Sequence, residues 1–434
     1  MINKSSIIFL ILLFCCALTC QGQVIIPSPQ QITLTKGCFS IKDKGVTVYA
    51  EDSTATYLSL LIDEVVPHIQ MCDAKEKADL CFVRNPACPP EGYTLHITPD
   101  NIKIEAADNA GFTYSVQTLR QWVQTGPDGE TLFQCVGIVD APRIKWRSFM
   151  LDSGRQYQST ATIKKYIDMA SLLKMNYFHW HLTEGLGWRV EIKQYPLLTQ
   201  KGAYAAVGEE QQGFYSQEEI KALVDYAAAR NITIVPEIDM PGHATAANKA
   251  YPEYSGGGTE EHPEFTFNVG KEESYTYLTN ILKEIAALFP SPYLHIGGDE
   301  VAYGIKAWET DPHVQALLKR EGLQTVKEAE RYFMHRMTDV VNSLGKTLVG
   351  WDELLDLNVK QDNTIIMWWR HDKPDYLRKS LTKGYSTIMC PRKPLYFDFV
   401  QYKDHKWGRI WDGFCPIEDV YAFPDKWFAE WGVS

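Results

Sequence analysis

No part of this chain is rich in basic residues. Its formal net charge is −11 at pH 7, and without a basic run or patch it has no footing for nucleic acid. Cysteine offers no ligand pattern either. The seven cysteines beyond the N-terminal segment (Cys38, Cys72, Cys81, Cys88, Cys135, Cys390 and Cys415) contain no CxxC pair, so zinc-site spacing is absent. Their odd number still allows one or two disulfides in the N-terminal part, with the pairing open. Long apolar runs are missing apart from residues 7–18. That run is too short to span a bilayer and fits a signal peptide cut near Gln23. Cys20 is the alternative, as a lipid carrier, although Thr19 is a poor neighbour for such processing. The mature protein is therefore expected to be exported, periplasmic or secreted, or tethered to a membrane by lipid alone.

What is present is an ordinary globular composition, 45% hydrophobic and 22% charged, over 434 residues. That length allows two or three domains and a large core. Twelve Trp and 23 Tyr supply many flat aromatic faces, which pack on sugar rings but fill cores as well. Residues 24–142 read as a small α+β domain. Strands are expected at 24–27 and 45–49, a helix at 54–66, a hairpin from 93–97 and 102–104 around Pro99-Asp-Asn101, and a helix at 110–123. No ionisable cluster appears there, so a packing role is the reading for this domain.

From residue 143 to 434 the rhythm changes to short apolar strands alternating with amphipathic helices. Ile163, Ile167, Ala170 and Leu173 line one helical face. Ser216-Gln-Glu-Glu219 is a capping box opening another helix. Seven β units can be counted, ending with residues 386–389. Such alternation fits a (β/α)8 barrel or an open parallel sheet. Polar and aromatic residues stand just past the strands: Asp152 and Arg155; Thr183 and Glu184; Asp239 and His243; Asp299 and Glu300; Trp351, Asp352 and Glu353; Trp368, Trp369 and Arg370; Tyr396 and Asp398. An open sheet would concentrate them at one switch point, whereas a barrel gathers all strand ends on one face. The fold class is therefore α/β, a TIM-type barrel after a small α+β domain. No eighth strand is evident after Tyr396, so the barrel is expected to be C-terminally incomplete.

The densest chemistry lies in Tyr293-Leu-His-Ile-Gly-Gly-Asp-Glu300. Two adjacent carboxylates at a strand end can enter one pocket from different angles and divide acid and base work. The bland alternative is a helix N-cap. His179 and His181, two apart on a strand, face the same way and could bind metal. Strands five and six end in Trp rather than His, so the ligand set is poor and a His-lined interior layer is the better reading.

The stretch His295-Ile-Gly-Gly-Asp-Glu300 resembles the signature of glycoside hydrolase family 20, the β-N-acetylhexosaminidases. The likeness extends to Gly111–Leu119 in the first domain, Trp146-Arg-Ser-Phe-Met-Leu-Asp152, His179-Trp-His-Leu-Thr183 with Gly187-Trp-Arg189, Pro236-Glu-Ile-Asp-Met-Pro-Gly-His243 and Gly350-Trp-Asp-Glu353. It implies an exo-acting, retaining hydrolase of terminal β-linked GlcNAc or GalNAc in glycans or chito-oligosaccharides, with no cofactor and no metal. The substrate's own 2-acetamido oxygen would be the nucleophile, an exception to the two-carboxylate scheme. By resemblance Glu300 is the general acid and then the base, and Asp299 holds the acetamido N–H. Arg147 would bind the sugar's 3- and 4-hydroxyls, Asp239 and His243 would support the acid/base residue, and Tyr396 would bind the acetamido oxygen. Trp351 and Trp369 would wall the acetamide pocket, with Trp368 nearly as good a candidate as Trp369. Asp398 belongs to the same segment as Tyr396. Glu184 departs from the family's usual Asp pair and would serve the sugar-hydroxyl role with a longer arm. Two rivals follow from the residues: a retaining glycosidase with Glu237 as a protein nucleophile, and a catalytically impaired glycan-binding barrel lacking its last strand.

Overall fold

The computed structural model describes residues 24–431 apart from 42–44, 53, 67, 205–212 and 411–412. The expected signal segment lies outside the described residues. Among them no helix is long and apolar enough to cross a membrane. The described residues form two compact units.

The first unit comprises residues 24–147 with 167–176 and 229–231. Its sheet is built from β1 (Gln31–Ile41), β2 (Val46–Ala50), β3 (Ile69–Met71), β4 (Leu80–Arg84), β5 (Tyr93–Ile97), β6 (Ile102–Ala106), β7 (Val123–Thr125) and β8 (Thr131–Asp140). The strand order is β1-β8-β5-β6-β4-β2-β3, with β7 on β8. The hairpin reading of β5 and β6 holds, with Leu95 opposite Ile104. Helices Thr56–Glu64 and Asn109–Trp122 share a core with the sheet, where the rings of Tyr57, Phe82 and Phe112 meet. Asp108 caps the second helix by accepting from Gly111 N at 2.8 Å.

Two expectations for this unit fail. Residues 24–27 form no strand; the first strand is β1, whose residues are exposed on both faces along most of its length and which is interrupted by a bulge between Leu34 and Cys38. A strand that buries neither face carries no apolar alternation to read. All seven cysteines are free, so the disulfides allowed by the sequence do not form among the described residues.

The second unit holds the other described residues of 148–431. Its seven strands are β9 (Ser148–Asp152), β10 (Tyr177–His181), β11 (Thr233–Glu237), β12 (Tyr293–His295), β13 (Thr347–Trp351), β14 (Thr364–Trp368) and β15 (Ser386–Met389). Each pairs in parallel with its neighbour in the sequence. Strictly sequential order has no switch point, so this is the wall of a (β/α) barrel and not a doubly wound sheet. Among the described residues β9 and β15 are its two edges, and the segment beyond Tyr396 forms short helices, Ile417–Tyr421 and Asp425–Trp431, rather than an eighth strand. The capping box is present: Glu219 N donates to Ser216 Oγ at 3.1 Å and Ser216 N to Glu219 Oε2 at 2.9 Å. Parallel register brings all the strand C-termini to one rim.

Candidate active site

The rim is organised by the end of β12. Gly297 takes φ 70°, and a Cβ there would lie 1.7 Å from Asp239 Oδ1. Only glycine lets the β11 carboxylate come this close while Gly298 N donates to it at 3.4 Å. Glu300 itself sits in the left-handed region at φ 51°, ψ 19°. A non-glycine residue held there is strained, and such strain is kept where surrounding structure over-determines it. The effect is to turn Asp299 and Glu300 toward one partner. His243 Nε2, from the loop after β11, stands 3.3 Å from Asp299 Oδ2 and 3.4 Å from Glu300 Oε2.

His243 Nδ1 in turn bonds Glu184 Oε1, and Arg155 Nη2 donates to the same oxygen at 2.8 Å. Arg155 also reaches Asp152 Oδ2 at 2.5 Å. A chain of alternating charge therefore runs Arg155–Glu184–His243–Asp299/Glu300. Burial alone would discharge His243, but Asp299, Asp239 and Glu184 hold its pKa well above the ordinary value. Burial pushes Asp299 up, and the adjacent His243 more than reverses it, so Asp299 stays ionised. Asp239 goes the other way: burial and the charge of Asp299 raise it well above the usual carboxylate range. The two carboxylates nearest His243 on the β11 and β12 ends are thus pushed in opposite directions.

Glu184 is drawn down to about 2, because its bond to His243 and the charges of His243 and Arg155 outweigh its burial. A depressed carboxylate contributes stability above its unfolded value, ordinarily 4.5, and loses it as pH falls toward about 2. His243, raised above 6.5, contributes fully below that value and loses its share as pH rises past its folded pKa. The pair thus contributes most between about pH 4.5 and 6.5. Glu184→Gln should remove up to about 3 kcal/mol there and flatten the acid limb between pH 4.5 and 2. Urea midpoints measured against pH check this; parallel curves for the two proteins would contradict it.

Beneath the rim lies the His-lined layer. Glu237 is fully buried and faces His179 Nε2 at 2.7 Å, His295 Nδ1 at 3.1 Å and His181 Nδ1 at 3.9 Å. These histidines hold its pKa well below the usual range against the cost of burial. Its Oε1 also accepts from Trp351 Nε1 at 2.9 Å. Enclosed in this way, Glu237 presents no oxygen to a substrate and does not serve as a nucleophile. Three donor sets are close enough for a cation: His179, Glu237 and His295; His181, Glu237 and Asp239; and Asp239, His243 and Asp299. The second set shares Glu237 with the first and Asp239 with the third, so it competes with both for ligands.

The remaining walls come from β13 to β15. Trp351 packs against His295 with ring centroids 4.8 Å apart and faces Trp369 at 6.5 Å. Trp369 Nε1 donates to Glu353 Oε2 at 3.1 Å. Burial, Asp352 and Asp299 push Glu353 well above the carboxylate range. Tyr396 follows the short helix Arg392–Leu395, and burial together with the charges of Cys390, Asp299 and Glu237 raises its phenol.

Three expected site residues lie elsewhere. Arg147 precedes β9, whereas the site carboxylates follow strands. It is spent within the first unit, donating to Lys174 O at 2.8 Å, Ile144 O at 2.7 Å and Tyr114 Oη at 2.9 Å, and pairing with Glu91 at 3.1 Å. The guanidinium at the site is that of Arg155, which stands past the C-terminal end of the same strand. Trp368 is fully buried. It packs on Trp431 at 4.7 Å and donates to Lys373 O at 3.2 Å, on the opposite side of the strand from Trp369. Asp398 is exposed and pairs with Arg409 at 3.3 Å. Arg155 and Glu353 were legible only as polar residues past strand ends; position relative to strand polarity is the signal that separates Arg155 from Arg147.

Known proteins match most of this chain. Residues 144–432 match the catalytic domain of glycosyl hydrolase family 20, and residues 23–141 match domain 2 of the same family. A β-hexosaminidase of Vibrio furnissii is 33% identical over 422 residues, covering 92% of this chain and 68% of that protein. One from Porphyromonas gingivalis is 33% identical, covering 93% of this chain; the chain spans 54% of that relative's length. Among solved structures, a β-N-acetylhexosaminidase from Bacteroides fragilis superposes with a TM-score of 0.85 at 41% identity, covering 93% of this chain and 82% of the other. A family 20 exo-β-N-acetylglucosaminidase from Vibrio harveyi, in complex with N-acetylglucosamine, also gives 0.85, at 31% identity over 92% of this chain and 66% of that one.

Proposed function

The chain belongs to glycosyl hydrolase family 20, and from that membership and the geometry at the ends of β11 and β12 we infer that it is an exo-acting β-N-acetylhexosaminidase. It removes terminal β-linked GlcNAc or GalNAc with retention of configuration. The observation that carries this reading is the sharing of one imidazolium, His243, between Asp299 and Glu300.

In the first step the substrate's acetamido oxygen attacks the anomeric carbon and the glycosidic bond breaks. Glu300 gives its proton to the departing oxygen. Positive charge spreads over the oxazolinium ring, and the ionised Asp299, accepting from the ring N–H, is a fixed anion where that charge develops. In the second step Glu300, now a carboxylate, takes a proton from water as the water opens the ring at the anomeric carbon. The acid is thereby restored and the acetamido group released. Two inversions at one carbon give retention. His243 steers both carboxylates through one nitrogen, and the Glu184–Arg155 pair keeps the imidazole charged. Trp351 and Trp369 give the acetamido methyl an apolar wall, and Tyr396 offers a hydroxyl to its oxygen. The enclosure of Glu237 weighs against a protein-nucleophile route.

The test is turnover of a chromogenic N-acetyl-β-glucosaminide by this chain, with the first-formed sugar followed by proton NMR. The β-anomer is expected. Formation of the α-anomer first, or binding without turnover, would overturn the reading, and the second result would favour a glycan-binding barrel.

A further inference from the structure

His181 is a buried imidazole that the hydrolysis set out above does not use. It ends β10 opposite Glu237, the last residue of β11, and is 4% exposed. Neither of its ring nitrogens has a hydrogen-bond partner among the described residues. Three carboxylates face it all the same, at nearly one distance. Nδ1 stands 3.8 Å from Asp152 Oδ1 and 3.9 Å from Glu237 Oε2, and Nε2 stands 3.9 Å from Asp239 Oδ2. These gaps are too long for hydrogen bonds. They are spacings that a metal ion sets. With bonds of about 2.0–2.1 Å, two ligand atoms lie about 3.3 Å apart at a tetrahedral angle and about 4.1 Å apart across the ion.

Two of the three carboxylates are already oriented for this. Glu237 is held at Oε1 by Trp351 Nε1, 2.9 Å away, and its Oε2 lies 2.7 Å from His179 Nε2. Asp239 is held at Oδ1 by Gly298 N at 3.4 Å. Its Oδ2 is buried with no hydrogen-bond partner among the described residues, a cost that a cation would relieve. Outer partners of this kind fix the ligands of a metal before it arrives. One ligand atom each from His181, Glu237 and Asp239 lies within 4.8 Å of the others. Asp152 is tied to Arg155 and stays outside the set. Its side chain is 25% exposed, which puts solvent within one residue of the site.

We propose that His181, Glu237 and Asp239 bind one divalent first-row transition ion. One imidazole and two carboxylates, with a position left for water, are a fitting ligand set for it. The hydrolysis needs no metal, and the ion acts on it as a brake. That effect rests on the catalytic reading above: an ion on Asp239 takes up the carboxylate that stands beside His243, and His243 aligns Asp299 and Glu300. The binding itself does not rest on that reading.

The experiment titrates Zn²⁺ into the chain by calorimetry, in a buffer that does not bind metal, with the visible absorption of Co²⁺ as a second readout. One ion per chain is expected. Affinity should fall at least about 100-fold in His181→Phe, and about tenfold in Asp239→Asn, which exchanges the carboxylate for a neutral amide. Asp239→Asn changes almost no volume, so it reads the site even where His181→Phe folds poorly. No uptake by the native chain, or an affinity unchanged in both variants, would overturn the proposal. Turnover of a chromogenic N-acetyl-β-glucosaminide should fall in step with the calorimetric isotherm. Full activity in the loaded chain would overturn the brake. A chain that binds Zn²⁺ through these residues but never turns over the glycoside would contradict the catalytic reading and leave the metal site standing.

Discussion

Glu300→Gln should lower kcat/KM for a β-linked disaccharide by about 10²- to 10⁴-fold. For an aryl glycoside with a good leaving group the first step should suffer far less. The difference follows from what the proton does. A sugar alkoxide cannot depart without it, whereas a nitrophenolate leaves almost unaided. Glutamine keeps the shape and the left-handed backbone position of Glu300 but can neither give nor take a proton. The second step still needs a base for water, so the aryl substrate should show a burst of phenol followed by slow turnover. Rapid-quench kinetics on both substrates check this. Equal losses on the two would mean that Glu300 acts through structure and not as an acid.

Asp299→Asn is expected to cost about 10²- to 10³-fold, mainly in kcat. Asp299 and its amide are nearly the same size, so ground-state fit changes little. What changes is the charge opposite the oxazolinium ring. Asp299 is ionised despite its burial because His243 lies 3.3 Å away, and this pairing is in place before the substrate arrives. A fixed anion needs no reorganisation in the transition state, which is why its removal should fall on kcat. The amide would also leave His243 with one fewer anion to keep it protonated. The kcat and KM values of the purified variant decide the matter; a loss confined to KM would assign Asp299 to binding alone.

The residues legible in the sequence were those whose neighbours in the chain are also their neighbours in space. Asp299 and Glu300 follow β12, and Asp239 and His243 follow β11, so one strand end delivers each pair. The alternation of seven strands and helices was readable for the same reason: each strand is a short apolar run stopped by polar residues. Errors arose where a half-turn or a strand length decides the outcome. Arg147 and Arg155 flank β9, and only the direction of the strand tells which one meets the carboxylates. Trp368 and Trp369 are adjacent, and the pleat sends one to Trp431 and the other to Glu353. Asp398 follows an irregular loop whose path no periodicity describes, and it pairs with Arg409.

The account turns on the substrate's amide oxygen acting as the nucleophile. The most direct test is kcat/KM across a series of aryl glycosides whose N-acyl group carries no, one, two and three fluorines. Each fluorine withdraws electron density from the amide oxygen while hardly altering its reach. A steep, progressive fall in rate along the series is the predicted result. A rate that stays level along the series would mean that another group attacks the anomeric carbon, and the division of work between Asp299 and Glu300 derived above would be wrong.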